Sequence, residues 1–471
     1  MHKRTFLKMM SALLLGAMTG GVGACSQPKP AASAAKKRIL VIGAGLAGLA
    51  AASALQKQGH DLVIVEARDR IGGRLWTSTQ WADAPVDLGA SWIHGMEGNP
   101  LTPLAQQIDA ELIVSSYDLA ITYAASGQPL SARAEARLEQ LQTRVDEALA
   151  EAQDATADQT VEAVVAAAFA QDNLSSEDQQ LLNFILSSSI EQEFAGSIGE
   201  LSAQWYDDAA AFAGDDAFFA DGYRLLVEYL SQGLEIKLSE VVQEIDWADV
   251  QVRVRTDKAE HLADHVIVTL PLGVLKAGKV QFTPALPSAH QNAIEQLGMG
   301  VLNKCYLRFA QAFWPTDIDW LEYVSPQPGQ WTEWVSLQRT HNLPVLLGFN
   351  AADQGRAIEA WTDAEIVASA MQTLRTVFGN TIPEPLDYQI TRWASDPYAL
   401  GSYSFNAVSY APALRAELAQ PLEQKVFFAG EATESQHFSS AHGAYLSGLR
   451  AAQEILALSA QSLLYLPILS R

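Results

Sequence analysis

Hydrophobic positions along this chain follow two rhythms. The short apolar run Ile39–Ile42 predicts a strand buried in a parallel sheet, Asp61–Val65 is the next strand, and Val426–Ala429 is another short buried one. Further strands are predicted at Glu235–Leu238, Val250–Val254 and His265–Leu270, the last closed by the Pro271-Leu272-Gly273 turn. Asn303–Phe309 and Val345–Phe349 alternate or run apolar, and predict a second sheet. From about Leu101 to Leu230 the spacing is helical, with amphipathic helices over Ala132–Ala152 and Thr160–Ala170 split by a polar turn at Asp154–Gln159. Ala/Leu-rich helices are expected at Leu46–Lys57 and Gly443–Leu456, and no internal repeat is evident.

The first predicted strand, turn, helix and second strand carry chemistry. Gly43, Gly45 and Gly48 fall at G-x-G-x-x-G spacing, and Glu66 ends the second strand. The glycines permit a tight turn, close approach of a pyrophosphate, and close packing of helix on strand. The helix N-terminus then faces the phosphates, and the acid accepts hydrogen bonds from ribose hydroxyls. Arg70-Ile71-Gly72-Gly73-Arg74 adds a second glycine pair flanked by guanidinium donors. A longer dinucleotide with a polyol chain needs that pair, so the expected cofactor is FAD.

The ends change where the protein is expected to work. Lys3-Arg4-Thr5-Phe6-Leu7-Lys8 followed by the apolar Met9–Gly23 predicts a secretory signal over residues 1–24, similar to a twin-arginine signal. Val22-Gly23-Ala24-Cys25 resembles a bacterial lipobox, so acylation of Cys25 and a tether over 25–37 are expected, placing an exported lipoprotein in the periplasm or cell envelope. The lipid at Cys25 is the expected membrane contact. Cys305 is the other cysteine, which excludes a disulfide within the mature chain. A net charge of −23 argues against nucleic acid as a partner, because that requires a basic stripe. No metal site is expected.

The blocks VIGAGLAGLAAA, EARDRIGGR, DLGASWIHG, DGYRLLVEYL, VIVTLPLGVLK, LGMGVLNKCYLRF, RWASDPYALGSYS and FFAGEATESQHFSSAHGAYLSGLRAA resemble, in order, the flavin-containing amine oxidases. DLGASWIHG and AHGAYLSG look most like polyamine oxidases. The resemblance implies an α/β fold: a discontinuous Rossmann-like FAD-binding domain (38–100, 221–290, 421–457) and a mixed sheet-and-helix substrate domain (101–220, 291–420), with a tail over 458–471.

It also implies roles. Glu66 would hold the adenosine ribose, Val242 would meet the adenine, and Gly72, Gly73 and Arg74 would border pyrophosphate and ribityl chain. Glu431 would contact the ribityl or pyrophosphate region, each carboxylate accepting hydroxyl protons. Arg68, Gly89, Ala90, Ser91, Trp92, Pro271, Gly430, Gly443 and Ala444 are further cofactor positions. Ala399–Tyr403 lacks the cysteine that attaches flavin in monoamine oxidases, so FAD would be noncovalent. Lys304 matches a lysine that bonds through a water to flavin N5, and Trp393 and Tyr403 match aromatics near the ring. His94 would lie near the substrate amine. Ser440 departs from the tyrosine that walls an aromatic cage in monoamine oxidases, which widens the site. Asp215 and Asp216 are candidates for a distal ammonium.

The implied reaction is oxidation of a small amine with O2. Two rivals stand beside it. An L-amino-acid oxidase on this scaffold would need an arginine clamp, for which Arg308 and Arg339 are candidates. A flavin-binding lipoprotein without catalysis is the other.

Overall fold

The computed structural model describes residues 36–408 and 410–464, with side chains described as far as residue 458. The predicted signal, Cys25, most of the tether and residues 465–471 of the tail lie outside the described residues. Five parallel strands form the first sheet in the order Val426–Phe428, His265–Val268, Arg38–Ile42, Asp61–Val65, Ile236–Lys237. Its strands read as continuous apolar runs because both faces are covered. Ile39, Val41 and Ile64 pack beneath the helices Leu46–Gln56 and Ala441–Leu464. Leu40, Ile42 and Val65 instead meet Ile245, Val252 and Val254 of a four-stranded sheet. Chain segments far apart in sequence therefore build one layer, as the expected α/β class requires.

Gly48 shows why the helix can lie so close. A Cβ there would stand 2.0 Å from the Gly43 carbonyl oxygen, and Gly43 itself has φ +102°. The last helix begins at Ala441 and runs to Leu464, longer than its predicted span.

A six-stranded sheet runs Asp387–Ile390, Leu302–Arg308, Val345–Ala351, Glu333–Ser336, Trp320–Tyr323, Ala120–Tyr123. Against it and the first sheet lies the helical region, with Ala132–Gln153 capped by Ser131 and Val161–Ala168 capped by Thr160. That region is less purely helical than its spacing predicts. Leu112–Ser115, Ala120–Tyr123 and Asp216–Phe219 are strands, and Asp216–Phe219 sits between Trp92–Ile93 and Leu112–Ser115. Such four-residue strands carry little periodic signal and are fixed by their partners.

Candidate active site

A cavity of about 1250 Å³ is lined from the parallel sheet, the last helix and the six-stranded sheet. The residues assigned from sequence to cofactor or substrate line it, except Gly48, Arg70, Gly443 and Asp215. Gly48 and Gly443 act through packing, since a Cβ on Gly443 would stand 1.8 Å from the His437 carbonyl oxygen.

One end of the cavity is a dinucleotide cradle. The helix Leu46–Gln56 starts without a side-chain cap, and Leu46 and Ala47 face the cavity with the N–H groups of the first turn. A Cβ built on Gly45 meets nothing nearer than 4.0 Å, and one on Gly430 meets nothing within 4 Å, so both backbones are open to a ligand. The Glu66 carboxylate accepts from the backbone N–H groups of Ala44 and Arg68, each at 2.8 Å, which ties the glycine turn to the second strand. Open helix N–H groups, exposed glycine backbone and a carboxylate at the strand end fit FAD.

Three residues singled out in the sequence have protein partners here. Glu431 is already committed: Arg74 Nη1 donates to it at 2.9 Å and Ser404 Oγ at 2.6 Å. Burial raises the Glu431 carboxyl, but Arg74, Ser404 and the buried Arg415 outweigh it and hold the group below its ordinary value. A carboxylate beside a diphosphate is thus neutralised by protein cations, whatever the sugar hydroxyls do. Arg70 Nη1 donates to the Gly73 carbonyl at 2.9 Å and the guanidinium lies over Trp76, so it staples the glycine turn, while its Nη2 is buried without a hydrogen-bond partner among the described residues. Ser440 caps the last helix, its Oγ accepting from Gly443 N at 2.9 Å, and it lines the cavity.

Lys304 lies on an interior strand of the six-stranded sheet, only 5% exposed. The apolar Cys305 and Leu307 face the opposite side, because side chains alternate along a strand. Its Nζ donates to the carbonyls of Asp87 at 2.8 Å and Gly89 at 2.6 Å, and to Ser91 Oγ at 2.5 Å. All three ammonium donors are therefore spent on protein acceptors. Burial pushes the Lys304 amine down to about 7, with Asp87 opposing the fall. Burial likewise lifts Asp87 to about 6, against hydrogen bonds from Thr77 and Tyr223 and the charge of Lys304. A neutral amine needs fewer acceptors and keeps a lone pair, so the group can pass between binding protein and binding water near neutral pH.

Trp393 and Tyr403 are both fixed from behind. The Trp393 indole donates to the Leu88 carbonyl at 3.2 Å, and its backbone N–H donates to Asn303 Oδ1 at 3.0 Å. Glu359, unmarked in the sequence, accepts from Asn303 Nδ2, Ala394 N and Ser395 N, each at 2.7 Å, and so clamps the turn that carries Trp393. Tyr403 Oη donates to the Gln192 carbonyl at 3.0 Å. Gln192 follows a π-helical turn, Ser187–Glu191, which presents Ile190, Gln192 and Glu193 to the cavity. No apolar period could reveal that widening.

His94 Nδ1 lies 3.2 Å from Asp216 Oδ2, whose other oxygen accepts from Gly95 N at 2.8 Å. Asp216 thereby orients His94 and lines the cavity, whereas Asp215 does not line it. Asp146, Glu193 and Asp207 line the helical wall. Burial first, and then Glu193 and Asp208, push Asp207 up to about 7. Among the described residues no group of three or more His, Cys, Asp or Glu could hold a metal ion.

Comparison with known proteins agrees with this geometry. A family described as flavin containing amine oxidoreductase matches residues 46–456. Polyamine oxidase 4 of Oryza sativa subsp. japonica is 33% identical over 432 residues, covering 88% of each chain. Lysine-specific histone demethylase 1 homolog 1 of the same plant is 34% identical over 457 residues, but this chain spans only 53% of it. A structure of putrescine oxidase bound to putrescine superposes with a TM-score of 0.74 at 18% identity, over 90% of this chain and 99% of that one, which shows a shared fold. FAD fits the cradle, and the match runs through both sheets and the last helix. The chain belongs to the flavin-containing amine oxidoreductases, a family of FAD enzymes that act on amines.

Proposed function

We propose that the protein oxidises a polyamine, a diamine or another primary or secondary amine, using noncovalent FAD with O2 as acceptor. Held by Gly45, Glu66, Arg74 and Gly430, FAD would supply the acceptor for a hydride from the carbon next to nitrogen; the imine would hydrolyse to an aldehyde and a smaller amine or ammonia, with O2 reduced to hydrogen peroxide. The remaining work belongs to the chain. A protonated alkylamine, with an ordinary pKa of about 10, cannot release that hydride. A buried wall of aromatic rings favours the neutral nitrogen at the reacting position. Lys304 Nζ holds or passes a proton to water beside it, and Trp393 and Tyr403 confine the substrate.

The observation that carries this reading is the acidic lining beyond the cradle. Asp146, Asp207 and Glu333 line the same cavity, and the strain on Asp207 is of the kind a cationic substrate relieves. The amino-acid oxidase reading gains no such support. Arg308 is paired with Asp83 and Arg339 with Asp319, and neither lines the cavity. The arginines lining it, Arg68 and Arg74, are committed to Asp396 and Glu431. Anaerobic addition of putrescine or spermidine to the yellow protein is expected to bleach the flavin. Bleaching by L-leucine alone would favour the amino-acid oxidase, and a spectrum unmoved by every amine would leave a flavin-binding protein without this activity.

We also propose export by the twin-arginine-like signal and lipid attachment at Cys25, supported by the residues Lys3 to Cys25. The full chain is expected in the membrane fraction of its envelope and released by detergent; recovery in the soluble fraction defeats the anchor.

A further inference from the structure

Arg415, on the short helix Leu414–Ala419, is wholly buried at 0% exposure. An arginine seldom goes fully inside unless its charge is met. Its hydrogen bonds run to neutral oxygens. Nε and Nη2 donate to Asn406 Oδ1 at 3.2 and 2.8 Å, and Nη1 donates to Ser404 Oγ at 2.8 Å and to the Ala432 carbonyl at 3.4 Å. The guanidinium also lies over the Phe438 ring, 4.0 Å from its centroid. These contacts satisfy its donors but not its charge, which is costly to bury unless an opposite charge answers it. Burial pulls the guanidinium down to about 10, and Glu431 is the leading charge opposing that fall, ahead of Tyr410 and Asp208.

One hydroxyl links the two. Ser404 Oγ accepts from Arg415 and donates to Glu431 Oε2 at 2.6 Å, while Arg74 Nη1 donates to Glu431 Oε1 at 2.9 Å. Two guanidiniums thus share one carboxylate, and the group keeps one positive charge. Arg74 and Glu431 line the cavity, whereas Arg415 does not. Arg74 follows Gly73, where an added Cβ would stand 3.4 Å from Gly45 Cα, at the glycine turn below the open helix start. Glu431 follows Gly430, whose backbone is open. The surplus charge therefore faces the part of the cradle where a diphosphate must approach the backbone. Arg68, the other arginine of the lining, is cancelled by Asp396 at 2.6 Å. Without the charge of Arg415, Glu431 would cancel Arg74 in the same way.

We propose that Arg415 is a positioning residue for FAD. Held out of the cavity, it answers the charge of Glu431 through Ser404, so that the charge of Arg74 remains for the diphosphate. Glu431 can then fix Arg74 in place without neutralising the cradle. This role goes beyond the amine-oxidase reading, because it concerns the cofactor and holds whichever amine is oxidised.

The test is a double-mutant cycle read as the FAD affinity of the apoprotein, by quenching of flavin fluorescence. Arg415→Met should weaken FAD binding about tenfold when Glu431 is present, the scale of one unit charge at a partly solvated site. In the Glu431→Gln background the same change should cost under about threefold, because no acid is left to cancel Arg74. A hole in the core would cost the same in both backgrounds. Arg415→Lys keeps the charge and should bind FAD within about threefold of wild type. Equal losses in the two backgrounds, unchanged affinity in Arg415→Met, or a loss in Arg415→Lys as large as in Arg415→Met overturns the assignment. Should Arg415→Met fail to fold, Glu431→Gln alone decides. With two cations facing the diphosphate, FAD should raise its thermal midpoint by more than it raises that of wild type; an equal or smaller rise overturns the role. Wild-type apoprotein that takes up no FAD defeats the cradle itself, whereas uptake with equal losses defeats only the role of Arg415.

Discussion

Lys304→Met is expected to lower kcat by about 100-fold while FAD stays bound, the loss typical of removing a positioned proton-transfer group. The side chain is similar in length, so the strand and its neighbours keep their packing. What disappears is an amine that burial holds near 7 and that touches Asp87, Gly89 and Ser91. In the wild type, kcat should rise with pH through about 7 as Nζ loses its proton and gains a lone pair for water; the Met variant should lack that limb. Stability carries the same signature. The unfolded lysine titrates at 10.5 and the folded one at about 7, so between those values unfolding takes up a proton and stability rises with pH. Asp87 acts oppositely and lower down: its carboxyl titrates at about 6 in the fold against 3.8 unfolded, so its burial cost is full above 6 and fades as pH falls. Denaturant unfolding of the apo chain from pH 7 to 10 should show the rising slope in wild type and its absence in Lys304→Met. A kcat within threefold of wild type, with the same pH profile, removes Lys304 from the chemistry.

Gly45→Val should abolish flavin retention and leave the apo fold intact. Gly45 has φ −77° and ψ 178°, extended backbone open to any residue, and its nearest neighbour to a new Cβ is Gly72 O at 4.0 Å. The protein itself therefore has room for the branched side chain. That room is the cradle, at the uncapped start of the helix Leu46–Gln56, where a pyrophosphate must approach the backbone. A 100-fold weaker affinity, about 2.8 kcal/mol, is a conservative expectation for blocking that approach. The variant should be purified colourless, with circular dichroism and a thermal midpoint matching those of wild-type apoprotein. A yellow Gly45→Val protein with unchanged affinity would place the dinucleotide elsewhere. Gly48→Val gives no such separation, because its side chain would strike the Gly43 carbonyl and break the helix–strand packing first.

The two substitutions probe features that differ in how far sequence discloses them. Gly43, Gly45, Gly48 and Glu66 announce a cradle because strand, turn, helix and acid are consecutive in the chain, and local geometry alone brings them together. The α/β class follows for the same reason: runs such as Arg38–Ile42 can be that apolar only when both faces of the sheet are covered. Lys304 stands out as a cation in an apolar strand, but nothing local says which carbonyls receive its protons.

Tertiary structure alone decided the rest. It placed Asp87 and Ser91 against Lys304, more than two hundred residues away in the chain, and buried the lysine, and that burial lowers its amine against the opposing charge of Asp87. It gave Glu431 the guanidinium of Arg74, Asp216 a contact with His94 and Ser440 a helix start to cap, partners that sequence position does not disclose. Glu333 was silent in the sequence: an acid between a threonine and a tryptophan has no periodic meaning until the fold brings it to the cavity wall. Charge, burial and register are properties of neighbours, and the neighbours of a buried polar group are chosen by the fold.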